Sequence, residues 1–290
     1  MSIVITAVNV NGIRAAVRQR NERNAGMLRW LSEAPSDVIV LQEIRASHKQ
    51  AHEALAPVLE GGWHLTMTES SVKGHAGVGV LSRIEPAAVR TGFGSAEFDD
   101  LGRYVEADFG APGIDGVGEL TVGALYLPKG AADTPQDAAK FEEKKRFLDE
   151  FGAYLAGLID PDGRVQDGGA RDRGVVVGGD WNIAPAEADI KNWKGNLTSP
   201  GFLPHERAWV AGLLASGWSD VVRDLHPEGP GPYSWWSWRG KAFDNDAGWR
   251  IDYQLANAPM AAAARSAVVD RADAYDLRWS DHAPVTVTFG

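Results

Sequence analysis

The sequence predicts sheets covered by helices, of the α/β or α+β class, and two observations carry that prediction. Short runs rich in β-branched residues recur along the whole chain, and between some of them lie segments with the apolar period of a helix. At 290 residues with 44% hydrophobic content, the chain can bury a sizeable core. IVITAV at 3 to 8 reads as the first strand, a weaker helical pattern follows near 22 to 33, and DVIVLQ at 37 to 42 is the second strand. Another helix is expected near 48 to 59, then strands at GVGVLS (77 to 82), RYVEADF (103 to 109) and LTVGALYL (120 to 127). The best helical pattern covers 138 to 159, where Phe141, Phe147, Leu148, Phe151, Leu155 and Leu158 fall on one stripe. PDGRVQDGGARDRG at 161 to 174 is polar and glycine-rich and reads as an exposed loop ahead of the strand VVVGGD. A weaker helix near 205 to 215 precedes the strands IDYQLAN and PVTVTF. Because β runs of similar character flank the loop on both sides, one domain spanning 1 to 290 is expected.

Composition excludes several classes of function. There are no cysteines, so disulfides, thiolate metal sites and cysteine nucleophiles are ruled out together. Any metal must be held by Asp, Glu, Asn or His, which favours a hard cation such as Mg²⁺. The opening MSIVITAVNVNG lacks the basic and long apolar stretches of a secretory signal, and no run reaches the length of a membrane span. An unexported, cytoplasmic protein with no membrane partner is therefore expected. The net charge of −10 argues against a broad electrostatic footprint on nucleic acid. A few Arg and Lys on one face, with a divalent ion offsetting local carboxylates, can still bind a polyanion.

Polar residues at the ends of the apolar runs are the informative ones, since binding and catalytic groups concentrate at the edges of a rigid scaffold. ITAVNVNG places Asn9 and Asn11 on one face by the two-residue strand period, VIVLQEIR delivers Glu43, and VVVGGDWN delivers Asp180 and Asn182. WRIDYQLAN contributes Asp252, and WSDHAPVTV sets Asp281 and His282 before the last strand. Brought together, these ends form an acidic pocket with one histidine and several amides. Crowded carboxylates repel unless a cation holds them, so the cluster suits Mg²⁺. A histidine kept charged by Asp252 can stabilise a phosphate, and the whole set suits phosphoryl chemistry. Each residue alone also has an ordinary structural reading: a turn-forming Asp, an Asn satisfying loop backbone, a buried and satisfied His.

The ordered set NVNGIR (9 to 14), LQE (41 to 43), LYLPKG (125 to 130), GGDWN (178 to 182), WRIDY (249 to 253) and SDHAPV (280 to 285) closely resembles the exonuclease III family of apurinic/apyrimidinic endonucleases. That family lies within the endonuclease/exonuclease/phosphatase superfamily, and the resemblance runs from about residue 3 to residue 289. It implies a four-layer α/β sandwich, two packed mixed β-sheets flanked by helices. It implies Glu43 as the principal Mg²⁺ ligand (Mn²⁺ being an alternative ion), with Asn11 and Asp281 close to the metal and Asn9 supporting them. Asp180 matches the residue that orients and deprotonates the attacking water, Asn182 holds that water or a phosphate oxygen, and Tyr126 contacts the scissile phosphate. His282 donates to a non-bridging oxygen, with Asp252 fixing its ring. In YSWWSWRGKAFDNDAGWRID, Trp235 and Trp249 match the wall of a pocket for a base-free deoxyribose, whereas Trp236 and Trp238 are expected only to pack. Arg239, Lys241 and Arg250 among these aromatics are expected to meet flanking phosphates, against the default of solvated surface charge.

The implied activity is Mg²⁺-dependent incision of duplex DNA 5′ to abasic sites, with 3′→5′ exonuclease and 3′-phosphatase activities at the same centre. A monomer acting on abasic sites or 3′ ends of double-stranded DNA, associated with the nucleoid, is expected. The alternatives are a phosphodiesterase of the same superfamily acting on another substrate, and a catalytically silent DNA-binding homologue. The chain departs from many relatives after LQE, with Ile44 and Arg45 in place of threonine and lysine, which bears on local phosphate contacts.

Overall fold

The computed structural model describes residues 2–166 and 172–290. Twelve strands form two six-stranded sheets among the described residues. The first sheet has the order β11-β12-β1-β2-β4-β3, from Ala264–Val269 (β11), Val285–Phe289 (β12), Ile3–Asn9 (β1), Val38–Gln42 (β2), Val78–Ser82 (β4) and His64–Thr68 (β3). The second has the order β5-β6-β7-β8-β10-β9, from Ala88–Thr91 (β5), Tyr104–Phe109 (β6), Leu120–Tyr126 (β7), Gly174–Asp180 (β8), Asp252–Ala256 (β10) and Ser219–Asp220 (β9). Each sheet has one parallel pair near its centre, β1 with β2 and β7 with β8, and its other pairs are antiparallel. The architecture is the expected α/β sandwich of two mixed sheets flanked by helices.

The unbroken apolar character of the inner strands follows from cover on both faces. In β2, Val38 and Val40 point into the large core that also holds the β8 valines, while Ile39 and Leu41 point the other way. That outer face is covered by Met27 and Leu31 of α2 (Met27–Glu33) and Ala51 and Leu55 of α3 (His48–Leu59). On the far side, Phe147, Leu148, Phe151 and Leu155 of α4 (Ala138–Leu158) join the core of the second sheet, beside Val210 and Leu213 of α5 (Pro204–Ala215). Two glycines in β8 mark close approaches. A Cβ on Gly178 would lie 3.0 Å from Val40 of the facing sheet, and one on Gly179 only 2.0 Å from the Leu125 carbonyl oxygen of β7.

Four strands carry too little pattern to be foreseen: β3, β5, β9 and β11. They are the four sheet edges. An edge strand has one paired neighbour and less cover, so its sequence need not be apolar, and all four residues of β5 are exposed. The helix expected from 22 starts at Met27, because Gly26 turns the chain at φ 79° and a Cβ there would meet the Arg18 carbonyl oxygen at 2.5 Å. A short helix, α1 (Ile13–Ala16), precedes it. Of the loop expected at 161 to 174, residues 167–171 lie outside the described ones; Val165 bridges to Ile159, and Gly174 already belongs to β8. Among the described residues no helix is long and apolar enough to cross a membrane.

Candidate active site

Strand register brings the polar ends together. Asn9 pairs with Gln42 at the ends of the parallel β1 and β2, so Glu43 emerges beside Asn9. In the other sheet, Asp180 pairs with Tyr126 on one side and with Asp252 on the other. Isolated bridges from Trp235 to both Trp249 and His282 bring in the remaining segments. The ends surround a cleft of about 390 Å³ lined by Asn11, Glu43, Tyr126, Asp180, Asn182 and Asp281, with His282, Trp235 and Trp249. Asn9 and Asp252 lie beneath it, fully buried.

Asn9 ties the two sheets together. Its amide donates to Glu43 Oε1 and to Asp180 Oδ2, each at 2.9 Å, and its own oxygen accepts the Asn11 backbone N–H at 2.9 Å. The strand ends at Asn9, so Asn11 is not placed by strand alternation; it sits one turn on, at φ 48°. Asn182 repeats this geometry after Asp180, with its N–H on Asp180 Oδ1 at 2.9 Å and φ 48°. Asn11, Glu43, Arg45 and Asn182 are four of the six described non-glycine residues at positive φ. Such backbone persists only where surrounding contacts over-determine it.

On the opposite wall, His282 Nδ1 is 2.8 Å from Asp252 Oδ2, and Nε2 faces Asp180 Oδ2 at 3.9 Å. Burial would neutralise the imidazole, but the charges of Asp252 and Asp180 and the bond to Asp252 hold its pKa up at about 10. Burial first, then the charges of Asp252 and Glu43, raise Asp180 to about 7 against the pull of His282 and Asn9. Burial also works to raise Asp281, yet the His282 charge and donors from Trp235 (3.1 Å) and Asn11 (2.7 Å) leave it below the usual carboxylate range. Burial and the nearby Glu43 and Asp180 charges push the Tyr126 hydroxyl well up, so it stays a neutral donor.

The buried acidic and histidine groups can hold a metal ion, and two sets compete on geometry. Ligand atoms of Asp180, Asp252 and His282 lie within 4.8 Å of one another. A histidine that stays protonated has no lone pair to give, and its Nδ1 is already engaged by Asp252, so this trio is better suited to proton handling. In the second set, the buried Glu43 Oε2 is ion-paired with the Arg45 guanidinium. Arg45 Nη1 also donates to Asn11 Oδ1 at 2.8 Å. A side-chain cation thus already spans Glu43 and Asn11, and hard oxygen donors that attract one cation suit a divalent ion.

Comparison with known proteins identifies the family. Residues 7–282 match the model of the Endonuclease/Exonuclease/phosphatase family. The chain belongs to that family. It is 31% identical over 277 residues to an exodeoxyribonuclease of Bacillus subtilis (strain 168), covering 96% of this chain and 95% of the relative. Among solved structures it is similar to an AP endonuclease from Archaeoglobus fulgidus, with a TM-score of 0.79, 26% identity and 99% of each chain covered. A 3′ phosphatase from Neisseria bound to product DNA hairpin gives a TM-score of 0.78 at 28% identity, with 99% of each chain covered.

Of the expected site residues, Arg250 is misplaced. Arg250 is not a phosphate contact: it is 1% exposed, and its guanidinium bonds Asp189 at 2.6 Å and Asp220 at 2.7 Å beneath the sheet edge. Both carboxylates are distant in sequence, so its exposed-looking neighbourhood gave no warning. Arg239 and Lys241 are exposed but do not line the cleft. Trp236 is buried against Phe243, and Trp238 is covered by the Arg278 guanidinium at 4.0 Å, so both pack as expected. Ser234 was not foreseen, although it is fully buried and donates to Asp252 Oδ2 at 2.6 Å, fixing the carboxylate that holds His282. Its position two residues before the buried Trp236 in YSWW is the one sequence signal it has. The wall formed by Asn196, Ser199, Pro200 and Gly201 was also unforeseen.

Proposed function

We propose that this protein is a Mg²⁺-dependent DNA repair phosphodiesterase that incises duplex DNA 5′ to abasic sites and leaves a 3′-hydroxyl. The observation that carries the reading is the junction made by Asn9, which links the Glu43 carboxylate to Asp180, itself 3.9 Å from a histidine held cationic by Asp252. A carboxylate near pKa 7 beside a protonated imidazole is a base and a charge stabiliser set across one reaction centre. Glu43, with Asn11 and Asp281, would hold Mg²⁺ (Mn²⁺ as a substitute), which when bound neutralises charge on the phosphate and its departing oxygen.

Asp180 accepts the proton of the attacking water, and Asn182 orients that water or a phosphate oxygen with the free edge of its amide. The other edge of that amide is held by the Leu127 carbonyl at 2.9 Å. His282 Nε2 donates to a non-bridging oxygen, and the neutral Tyr126 hydroxyl donates to the same phosphate. Trp235 and Trp249 meet edge to face, with ring centroids 6.3 Å apart at 88°, and form a flat apolar corner beside the reacting groups. That corner fits a deoxyribose without its base and disfavours a nucleotide that must first be unstacked. Exposed Arg239 and Lys241 meet phosphates of the flanking duplex. Trimming of 3′ ends and removal of a 3′-phosphate need the same water attack, and the named activity of the Neisseria relative supports the second.

The test is a duplex with a single abasic site, incubated with Mg²⁺ or with chelator. Incision 5′ to the lesion that depends on the metal is expected. Incision unchanged in chelator, or binding without incision, would sink the reading, the latter in favour of a silent homologue.

A further inference from the structure

Lys144 is out of place by the rules of its own helix. It lies on the apolar stripe of α4, is 2% exposed, and pairs at 2.7 Å with Glu206 of α5, which is 1% exposed. Burying an ion pair costs the desolvation of both ions, and apolar residues of similar volume often serve stability as well or better. The contacts of this pair point to another role. The three protons of the ammonium go to Glu206 Oε1, to the Lys129 carbonyl at 3.2 Å and to the Asn182 carbonyl at 3.1 Å. The second Glu206 oxygen accepts the backbone N–H groups of Gly201 at 2.7 Å and Leu203 at 2.9 Å. The Gly201 carbonyl in turn accepts from Ala184, two residues after Asn182. Gly130 keeps the approach open: at φ 71°, a Cβ there would lie 2.5 Å from Lys144 Cδ.

We propose that the buried Lys144–Glu206 pair is a positioning device for catalysis, holding Asn182 and the Ser199–Gly201 wall in register with Asp180. Through one ammonium and one carboxylate, α4 and α5 fix three segments of the cleft: the loop after β7, the turn after β8 and the wall packed against Trp249. Neither residue touches substrate; each acts through the backbone it holds. The inference rests on the reading of Asn182 as a substrate-facing group.

Lys144→Met alone leaves Glu206 buried without its partner and is expected to destabilise the fold. The informative variant is Lys144→Met with Glu206→Gln, which removes both charges yet keeps an acceptor for the Gly201 and Leu203 amides. Thermal unfolding close to wild type is expected, with kcat on the abasic duplex about 10- to 100-fold lower and KM within about twofold. Glu206→Gln alone leaves the Lys144 ammonium buried without its counter-charge and, like Lys144→Met, is expected to destabilise the fold. Hydrogen exchange of the Asn182 and Ala184 amides gives a readout that needs no substrate, and it should be faster in the double variant. If the wild-type protein does not incise the duplex, the functional reading fails and the exchange experiment decides the inference by itself. Wild-type kcat in the stable double variant, or unchanged exchange at both amides, overturns it.

Discussion

The ends of β1 and β8 use one backbone device for two different tasks. In Asn9-Val10-Asn11 and in Asp180-Trp181-Asn182, the first side chain accepts the N–H two residues on at 2.9 Å, the middle residue is fully buried, and the last is an asparagine at φ 48°. Their first side chains differ in one group: Asn9 has an amide nitrogen where Asp180 has a second oxygen. The neutral amide donates to two carboxylates and so can sit between Glu43 and Asp180 without adding repulsion. The carboxylate faces His282 and can take a proton. In the proposed reaction the first sheet carries Asn11 and Glu43, which would hold the cation, and the second carries Asp180 and Asp252, while His282 reaches across from the segment before β12 of the first sheet; the turn is common to both ends.

Making the second end like the first should have the largest effect. Asp180→Asn keeps the turn but removes the base, and turnover should fall by about 10²- to 10⁴-fold while duplex binding, measured by fluorescence anisotropy, is retained. The ends also differ in support, because β10, which pairs with β8, is anchored by Arg250 between Asp189 and Asp220. Arg250→Met leaves the buried Asp220 carboxylate without its ion-pair partner, while Asp189 keeps Arg223, and should cost about 3–5 kcal/mol in denaturant unfolding, without weakening DNA binding by the folded protein. Making the first end like the second is a smaller perturbation. Asn9→Asp places a like charge beside Glu43 and Asp180, so the acidic limb of the rate profile should move to higher pH and the rate at pH 7 should drop by about tenfold. Lys241→Ala lies outside the comparison and should be mildest: a few-fold rise in KM, with the salt dependence of binding reduced by about one ion.

Legibility in the sequence divides along the same physical lines. Inner strands such as β2 and β8 are covered on both faces, so their residues have to be apolar and the runs stand out. The edge strands β3, β5, β9 and β11 carry no such requirement and were invisible. Glu43, Asp180 and His282 were readable because each follows or precedes an apolar run. Ser234, Lys144 and Glu206 were not, because their partners are 18 to 62 positions away and nothing local marks a buried serine or a charge inside an apolar stripe. Arg250 misled for the same reason, since its acidic partners come from 30 and 61 positions earlier.

In the proposed reaction Asp180 loses a proton while His282 keeps one. Asp180 is raised to about 7 and His282 to about 10, so the competent form is depleted below the first value, as Asp180 gains its proton, and above the second, as His282 loses its own. A cation beside Glu43 favours the Asp180 carboxylate and places the acidic limb no higher than about 7. The decisive measurement is the pH dependence of single-turnover incision at saturating Mg²⁺, for the wild type and Asp180→Asn. The wild-type rate should rise to a plateau near neutrality and fall toward pH 10, and the residual rate of Asp180→Asn should lack the rise. A rise of the same shape in Asp180→Asn would contradict the account.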